Sequence, residues 1–267
     1  MKRLWLPGGF VALILLLALA APLLGLPDPL RQDIAHRLAG PMPGSWLGRD
    51  EFGRDVLSRL IWGARTSLAV AFASALTAGA VGVVLGLIGG WGRGIGSVLS
   101  VRSVDIILCF PPVLLALLVV TLMGPGAATL IFVLSVLYLP GFARVTQAEV
   151  LSVRGRDYVE ATRALGARTW YLLLRTVLPN IAGPILVQLS LAVAAAVVLE
   201  SGLSFLGLGV VPPAPSWGLM IRGARATMEQ APLLLVWPCA ALTLTILAMN
   251  LLCDALRDVV DPRTAGR

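Results

Sequence analysis

The residues that most often carry catalysis are few and widely separated in this chain of 267 residues. The only histidine is His36, the only lysine is Lys2, and the cysteines are Cys109, Cys239 and Cys253. A phosphate-binding P-loop needs a lysine that reaches the β and γ phosphates, and a zinc protease needs a His-Glu-x-x-His pattern. A serine hydrolase needs a histidine beside its nucleophile. The sequence therefore predicts no catalytic residue, no metal site and no nucleotide hydrolysis by this chain.

The most unusual polar stretch runs from Glu160 to Asn180 and reads EATRALGARTWYLLLRTVLPN. It stands in a chain that is 58% hydrophobic and only 13% charged. Asp157 can cap a helix that begins near Tyr158, and Gly166 can end it because glycine takes the left-handed conformation at little cost. A second helical run follows and breaks at Pro179.

The first of these helices has an amphipathic pattern, with Tyr158, Ala161 and Leu165 on one face and Glu160 and Arg163 elsewhere. Two turns of helix are not stable alone in water, so the segment needs support from its own chain or from a partner. The alternative is a solvated loop that only joins two membrane spans.

The elements around this stretch are long apolar runs, and the mean hydropathy is +0.89. Uncharged runs cover residues 8–26, 66–92, 106–143, 176–199 and 231–253, long enough to cross a bilayer core of about 30 Å. The third run is too long for one helix, and Gly124-Pro125-Gly126 interrupts it near the middle. The sequence predicts an all-α membrane protein, a bundle of six transmembrane helices with both termini on one side.

The basic residues set the orientation of this bundle. A cytoplasmic N-terminus places more lysine and arginine inside than outside, so both termini and the polar stretch are predicted to be cytoplasmic. A net charge of +7 can also indicate a nucleic-acid partner, but the basic residues fall between apolar runs, and no such partner is predicted. A cleaved signal peptide is the alternative for the first run, because Met1-Lys2-Arg3 precedes an apolar stretch that ends in small residues.

The polar stretch resembles a known family motif. Glu160-Ala161-Thr162, then Gly166, then Thr176-Val177-Leu178-Pro179 is similar to the EAA motif of permease subunits in binding-protein-dependent ABC importers, although Thr162 and Thr176 depart from the usual alanine and isoleucine. In that family the motif forms a coupling helix that docks into a groove of the ATPase subunit. The resemblance implies that the ATPase-coupling residues are Glu160, Ala161, Arg163, Leu165, Gly166, Leu178 and Pro179.

Three further stretches resemble the "C" permease of dipeptide, oligopeptide and nickel importers. They are LGRDEFGRDVLSR with GARTSL in 47–68, ESGLSFLGLG with PPAPSWG in 200–218, and the C-terminal stretch 250–263. Arg49 and Cys253 depart from the usual threonine and glycine. The resemblance implies a pore mouth that contacts a binding protein through Asp50, Gly53, Arg54, Asp55, Pro215 and Trp217.

Some of these residues can also be interpreted physically. Asp50, Arg54, Asp55 and Arg59 have the spacing of ion pairs along a solvated helix, and Gly48 and Gly53 permit close backbone approach. Glu200 ends an apolar run, either as a charge that reaches the membrane edge or as a polar group aimed at the pore. We expect His36 to be solvated and the three cysteines to be buried thiols.

The predicted boundaries give a first transmembrane helix (1–26), an extracytoplasmic segment (27–65) and a core of five helices (66–263). The core contains the cytoplasmic coupling loop (148–180), and a short cytoplasmic tail follows (264–267).

The resemblance implies a non-enzymatic permease that forms half of the pore of an ABC importer in the bacterial inner membrane. Its partners would be a homologous second permease, one or two ATPase subunits that bind ATP and Mg²⁺, an extracytoplasmic substrate-binding protein and the lipid bilayer. This chain itself would hold no cofactor. Short peptides are the predicted cargo, with nickel or a metal chelate as the alternative.

An ion-coupled secondary transporter is the alternative from another class, followed by a channel. Ion-coupled carriers usually bury ionisable residues in their spans, and here only Asp105 and Glu200 come near span interiors.

Overall fold

The computed structural model describes residues 2–92 and 94–260, and every regular element in those two stretches is helical. The predicted all-α class is therefore confirmed. The elements are α1 (Lys2–Ala20), 3₁₀ turns at Ala21–Leu23 and Ile34–His36, α2 (Val56–Trp91), α3 (Ile95–Leu108), α4 (Pro112–Met123), α5 (Ala127–Val153), α6 (Asp157–Ala164), α7 (Thr169–Tyr171), a π-helix (Leu172–Val177), α8 (Leu178–Asn180), α9 (Ala182–Leu206), α10 (Trp217–Arg225) and α11 (Leu233–Val260). The predicted tail and the motif residues Asp261 to Arg263 lie outside the described residues.

Four helices, α2, α5, α9 and α11, are long and apolar enough to cross a membrane. The α3–α4 pair counts as a fifth span only if its two halves are taken together, because they are bent by 91°. The apolar part of α1 with its 3₁₀ turn is shorter and covers Pro7–Leu23. By length and apolar composition the described residues thus contain four spans, or five with the bent pair, and the count of six stays a prediction.

The bend between α3 and α4 corrects the predicted third span. The turn at Gly124 to Gly126 lies between α4 and α5 as predicted, and Gly124 has a positive φ of 81°. The helix before this turn starts at Pro112, however, and not at Ile106. Pro111 has an extended backbone and no N–H, so the chain cannot continue α3 through it. Cys109 lies at this bend and is exposed, so the prediction of a buried thiol is wrong there.

The helix α2 begins at Val56, so residues 56–65, the end of the predicted segment 27–65, are helical and continuous with the uncharged run that follows. Asp55 caps it by accepting a hydrogen bond of 2.7 Å from the Ser58 backbone N–H. Its second carboxylate oxygen accepts a hydrogen bond of 2.6 Å from the Ser45 hydroxyl. A side-chain cap therefore fixes where the helix begins.

α2 and α5 form the most extensive helix contact, through a row of glycines spaced four apart. A Cβ atom on Gly82 would lie 2.7 Å from the Leu139 carbonyl oxygen, and one on Gly86 would lie 2.6 Å from that of Ala143. Gly90 approaches α5 in the same way. Small residues let helix backbones pack closely in a membrane, where lipid is as apolar as leucine. The glycine row therefore brings the α2 and α5 backbones into close contact.

The remaining long helices surround this pair. α9 packs against α2, α5 and α11, and α1 packs against α11. The buried core between them includes Leu68, Leu134, Phe142, Val197 and Met249. A second apolar cluster lies at the C-terminal end of α2, and a third lies near its N-terminal end.

The glycine row predicts a specific effect on stability. Gly86→Ala is expected to lower the stability of the purified subunit in detergent by about 1–3 kcal/mol, because it forces a methyl group into a packed interface. Gly202→Ala is the matched control, since a Cβ atom there would meet nothing within 4 Å. It is expected to be neutral or to stabilise by about 0.5–1 kcal/mol. Thermal unfolding measures both, and equal unfolding temperatures for the two variants would contradict the packing argument.

Candidate functional sites at the two ends of the bundle

α2 joins two clusters of polar residues at opposite ends of the bundle. Its 36 residues span about 54 Å at a rise of about 1.5 Å per residue. We call them the Asp55 end, after the N-cap residue of α2, and the Trp91 end, after its last residue. Each end contains one of the predicted sites.

α6 lies at the Trp91 end and is held to the bundle by Val159, its one buried residue. Its start differs from the prediction, because Arg156 is the N-cap residue and no side chain caps the helix. Asp157 is instead the first helical residue, where its charge favours the helix N-terminus. Gly166 has a φ of 81° just after the helix and ends it as predicted. Val159 packs into the second apolar cluster with Leu87, Val150, Leu172, Val177 and Ile181.

The predicted apolar face of α6 points away from the rest of the chain. Tyr158 and Ala161 are exposed, and Leu165 is 89% exposed, the largest fraction for any large hydrophobic side chain in the described residues. Glu160 is also exposed and lines an open cavity of about 550 Å³. The sequence of α6 is polar, so lipid cannot account for this face. An exposed leucine outside the hydrocarbon region is suited to a protein partner.

Two arginines connect the α6 segment to the end of α2. The guanidinium of Arg163 lies 5.1 Å from the centre of the Trp91 ring, in a cation–π contact. Arg154 donates a hydrogen bond of 3.2 Å to the Gly90 carbonyl oxygen. Sequence reasoning singled out neither Trp91 nor Arg154. The available signal was a tryptophan at the end of an apolar run, which is typical of a membrane interface.

The chain between α6 and α9 is helical but irregular. Leu172–Val177 form a π-helix, with α7 before it and α8 after it. Leu178 and Pro179 therefore follow the π-helix directly, and the helical path is interrupted at Ile181, whose φ is −105°. The predicted break near Pro179 is confirmed. Because π-helical turns are rare and recur at functional sites, this segment belongs with the site.

The predicted acidic and basic residues at the Asp55 end form a compact network. Arg54 Nε lies 2.6 Å from Asp50 Oδ2, and Arg59 Nε lies 3.3 Å from the same oxygen. A second nitrogen of Arg54 lies 3.3 Å from Glu51. Asp50, Arg54, Asp55 and Arg59 are all buried, and only Arg59 lies in a helix. The prediction of a solvated, self-paired helix is therefore wrong, because a tight turn brings residues spaced by four together as well as a helix does.

Close backbone contacts hold this turn in place. Gly53 has a φ of 71°, and a Cβ atom on it would collide with the carbonyl of Asp33. Gly48 has a φ of 83°, and its Cβ would lie 2.6 Å from the Ala39 carbonyl oxygen. Both glycines allow the backbone approach that the sequence predicted.

Asp33 joins this turn to the preceding chain. Its carboxylate lies 2.9 Å from a ring nitrogen of His36 and accepts a hydrogen bond of 2.9 Å from Arg49. The hydrogen bond with His36 holds the pKa of the Asp33 carboxyl below its usual value, and the Arg49 guanidinium acts in the same direction. His36 is exposed, which confirms the prediction that it is solvated.

Pro215 and Trp217 are buried, so they hold the loop that contains them and do not present a surface. The Trp217 indole N–H donates to the Leu60 carbonyl oxygen over 3.1 Å. Ser216 caps α10 by accepting a hydrogen bond of 3.3 Å from the Leu219 N–H. The loop is thereby fastened to the first turns of α2.

Glu200 is fully buried in α9, and hydroxyl groups surround its carboxylate. Ser204 donates to Oε1 over 2.8 Å and Ser201 to Oε2 over 3.3 Å. The hydroxyl groups of Ser67 and Ser216 also face this carboxylate. The prediction of a charge at the membrane edge is therefore wrong, and the carboxylate faces the interior of its own chain.

The orientation of three of these hydroxyls follows from their other hydrogen bonds. Ser67, Ser216 and Ser204 each accept a backbone N–H, which leaves their hydroxyl hydrogens to point at Glu200. The three N–H groups belong to Trp217, Leu219 and Val210. Because Ser67 lies in α2 and Ser216 caps α10, Glu200 joins three helices.

The two predicted segments of the Asp55 end meet at one open cavity of about 450 Å³, which we call the Asp55-end cavity. One wall comes from the network turn and the other from the loop and helix around α10. The side chains that reach it include Asp50, Phe52, Arg54, Arg59, Pro212, Ala214, Met220 and Arg222. Across the described part of the chain, no group of three His, Cys, Asp or Glu residues lies close enough together to hold a metal ion.

The sequence matches a known family over residues 82–266, described as the inner membrane component of binding-protein-dependent transport systems. It is 40% identical over 263 residues to a di/tripeptide transport system permease protein of Pseudomonas aeruginosa, which covers 95% of this chain and 86% of that protein. It is 43% identical over 262 residues to a probable peptide ABC transporter permease of Sinorhizobium fredii, covering 98% and 89%. A glutathione transport system permease of Pectobacterium atrosepticum is 39% identical over 224 residues, covering 84% and 74%.

The fold is similar to that of a solved chain of a methionine ABC transporter in an inward-facing conformation. The TM-score is 0.62 at 18% sequence identity, and the match covers 76% of this chain and 96% of the other. At that identity the likeness concerns the fold alone.

The Glu200 cluster predicts a large stability effect from one buried side chain. Glu200→Ala is expected to destabilise the subunit by about 1–3 kcal/mol, because buried hydroxyl donors lose their acceptor. Ser201→Ala is the matched control, since it removes only the longer hydrogen bond of 3.3 Å and is expected to cost about 0.5–1 kcal/mol. Thermal unfolding in detergent compares the two. An unchanged unfolding temperature for Glu200→Ala would show that the cluster does not hold the three helices together.

Proposed function

The chain belongs to the family of inner membrane components of binding-protein-dependent transport systems, and from this membership we propose that it forms half of the pore of an ABC importer for short peptides. A second, homologous permease completes the pore, and one or two separate ATPase subunits bind ATP and Mg²⁺. An extracytoplasmic binding protein delivers the cargo. In this arrangement the chain makes and breaks no covalent bond.

The topology that we propose has six spans and cytoplasmic termini. α1 and the bent α3–α4 pair each count as one span beside the four long helices. The Trp91 end then faces the cytoplasm, where the arginines between α5 and α9 satisfy the positive-inside rule. The Asp55 end faces the outside.

We propose that α6 is the helix that docks on the ATPase. The observation that supports this most directly is its exposed face, on which Leu165 is almost free of contacts with its own chain. Glu160, Ala161 and Gly166 lie on the same exposed segment, whereas Arg163 contacts Trp91. Leu178 and Pro179 continue the path toward α9. A force applied to α6 therefore reaches α2 through Trp91 and α9 through the π-helix.

The docking role predicts separate effects on assembly and on folding. Leu165→Asp is expected to abolish co-purification of the ATPase and uptake, while the subunit inserts and unfolds like the wild type, because this side chain contacts almost nothing in its own chain. Gly166→Val is also expected to reduce ATPase binding and uptake, but it should destabilise the subunit by about 1–2 kcal/mol, because valine is strained at a positive φ.

Leu30→Asp is the matched control, since it places the same charge on an exposed leucine at the other end of the bundle. It is expected to leave ATPase binding unchanged. Normal ATPase binding by Leu165→Asp, in a normally expressed complex, would show that α6 is not the docking helix.

At the Asp55 end we propose the contact with the binding protein. Exposed residues around the cavity include Phe52, Pro212 and Ala214, and these would touch the partner. Asp50, Gly53, Arg54, Asp55, Pro215 and Trp217 are buried, and their role is to give this surface its shape. Phe52 is itself held by the Arg54 guanidinium, 4.6 Å from its ring centre.

The proposed cargo is a short peptide. The relatives named above carry di/tripeptide, peptide and glutathione transport in their names, and glutathione is itself a peptide. The glycine row of α2 is occupied by its contact with α5, so it adds no side chains that could select among cargoes. Selectivity would then lie mainly in the binding protein.

Cargo is tested by uptake in a strain that lacks this gene and in the complemented strain. Uptake of labelled di- to pentapeptides is expected to be lost and then restored, and nickel uptake is expected to be unchanged. Lost nickel uptake with normal peptide uptake would favour a nickel or metal-chelate importer. Loss of neither would point to another cargo.

A further inference from the structure

Arg222 lies in the last turn of α10 and faces two cavities. One is the Asp55-end cavity, and the other is an adjoining cavity of about 510 Å³ lined by Phe205, Leu206, Arg222, Arg225 and Ala226. Its guanidinium is thus accessible from both sides.

The other two cations of the Asp55-end cavity are already paired. Arg54 binds Asp50 and Glu51, and Arg59 binds Asp50. Arg222 has no hydrogen bond and no ion pair with any residue in 2–92 or 94–260. A guanidinium in this setting has its donors free for an anion from outside the chain.

The Arg222 side chain packs against the backbone at Gly207. Gly207, directly after α9, has a φ of 84°, and a Cβ atom on it would collide with Arg222 Nη1. The guanidinium therefore packs directly against this turn. A donor group that is fixed before binding loses less conformational freedom when a ligand arrives.

The rest of the cavity is suited to a small amphipathic molecule. Its apolar lining comes from Val56, Leu219, Met220, Ala224 and Leu234. Its volume of about 450 Å³ falls within the range of about 300–1,000 Å³ that is typical of small-molecule sites.

We propose that the Asp55-end cavity is a transit site for the peptide cargo, in which Arg222 binds the C-terminal carboxylate and the apolar lining receives the last side chain. A planar guanidinium can bind a carboxylate through two parallel hydrogen bonds. This inference rests on the proposed peptide cargo. It gives the permease a contact with the peptide terminus, which every short peptide shares whatever its side chains.

The test uses the complete transporter in proteoliposomes, with saturating binding protein. Two cargoes are compared, Ala-Phe and its C-terminal amide, after both are shown to bind the isolated binding protein. Arg222→Gln is expected to reduce Ala-Phe uptake about tenfold, the effect of losing one charge-assisted hydrogen bond, and to leave uptake of the amide at the wild-type rate. Arg222→Lys keeps the positive charge but loses the planar guanidinium that can form two parallel hydrogen bonds. Its uptake of Ala-Phe is expected to be intermediate. Arg225→Gln is the matched control and should change neither rate.

A second measurement does not depend on turnover. Alkylation of Met220→Cys in the assembled transporter is expected to be slowed by Ala-Phe and not by the amide, and Arg222→Gln should remove the protection. Arg222→Gln could instead reduce the uptake of both peptides equally and raise the half-saturating concentration of binding protein. That result would assign Arg222 to docking of the binding protein and overturn the transit site. Unchanged uptake of Ala-Phe would overturn it as well. If the wild type transports neither peptide and cysteine alkylation is unaffected, the proposed cargo itself is wrong.

Discussion

The contact between α2 and α5 is the constraint on which the rest of the structure depends. In hydrocarbon, each helix satisfies its own backbone hydrogen bonds, and apolar side chains gain little by leaving lipid for protein. Close approach of backbones must then supply the packing energy, and the row from Gly82 to Gly90 makes it possible. Because α2 is fixed in this way along its C-terminal half, its Trp91 end offers a firm base for α6.

A buried carboxyl group plays the matching role at the other end. Glu200 has no cationic partner among the residues that the structure describes, and its carboxylate is satisfied by hydroxyl groups alone. Removing such an acceptor leaves donors buried without partners, so the three helices that supply them are held together. The result is a defined position for α10, which forms one wall of the Asp55-end cavity.

Features that depend on residues close together in the sequence were predicted correctly. Features that depend on how distant parts of the chain pack were missed. The all-helical class, the turn at Gly124 and the end of α6 at Gly166 follow from hydropathy and from glycine conformation. The bend at Pro111 was missed because an uncharged run hides a break, although two adjacent prolines were visible. The Asp50–Arg54 pair was expected in a helix because a spacing of four is common to helices and tight turns. Val159 marks the buried face of α6. The spacing of apolar residues in so short a helix pointed instead to the face of Tyr158, Ala161 and Leu165.

The π-helix between α6 and α9 has a consequence for sequence change over time. A π-turn contains one residue more than an α-helical turn would use, so it is equivalent to a single insertion into a regular helix. Deleting one residue from Leu172–Val177 would restore the regular helix and rotate α7 relative to α8 by about 100°, and α6 would move with α7. Homologous permeases that differ here by one residue would then present different faces to their partners. A change of one codon in this segment would therefore redirect the exposed surface of α6 without altering the sequence of that surface.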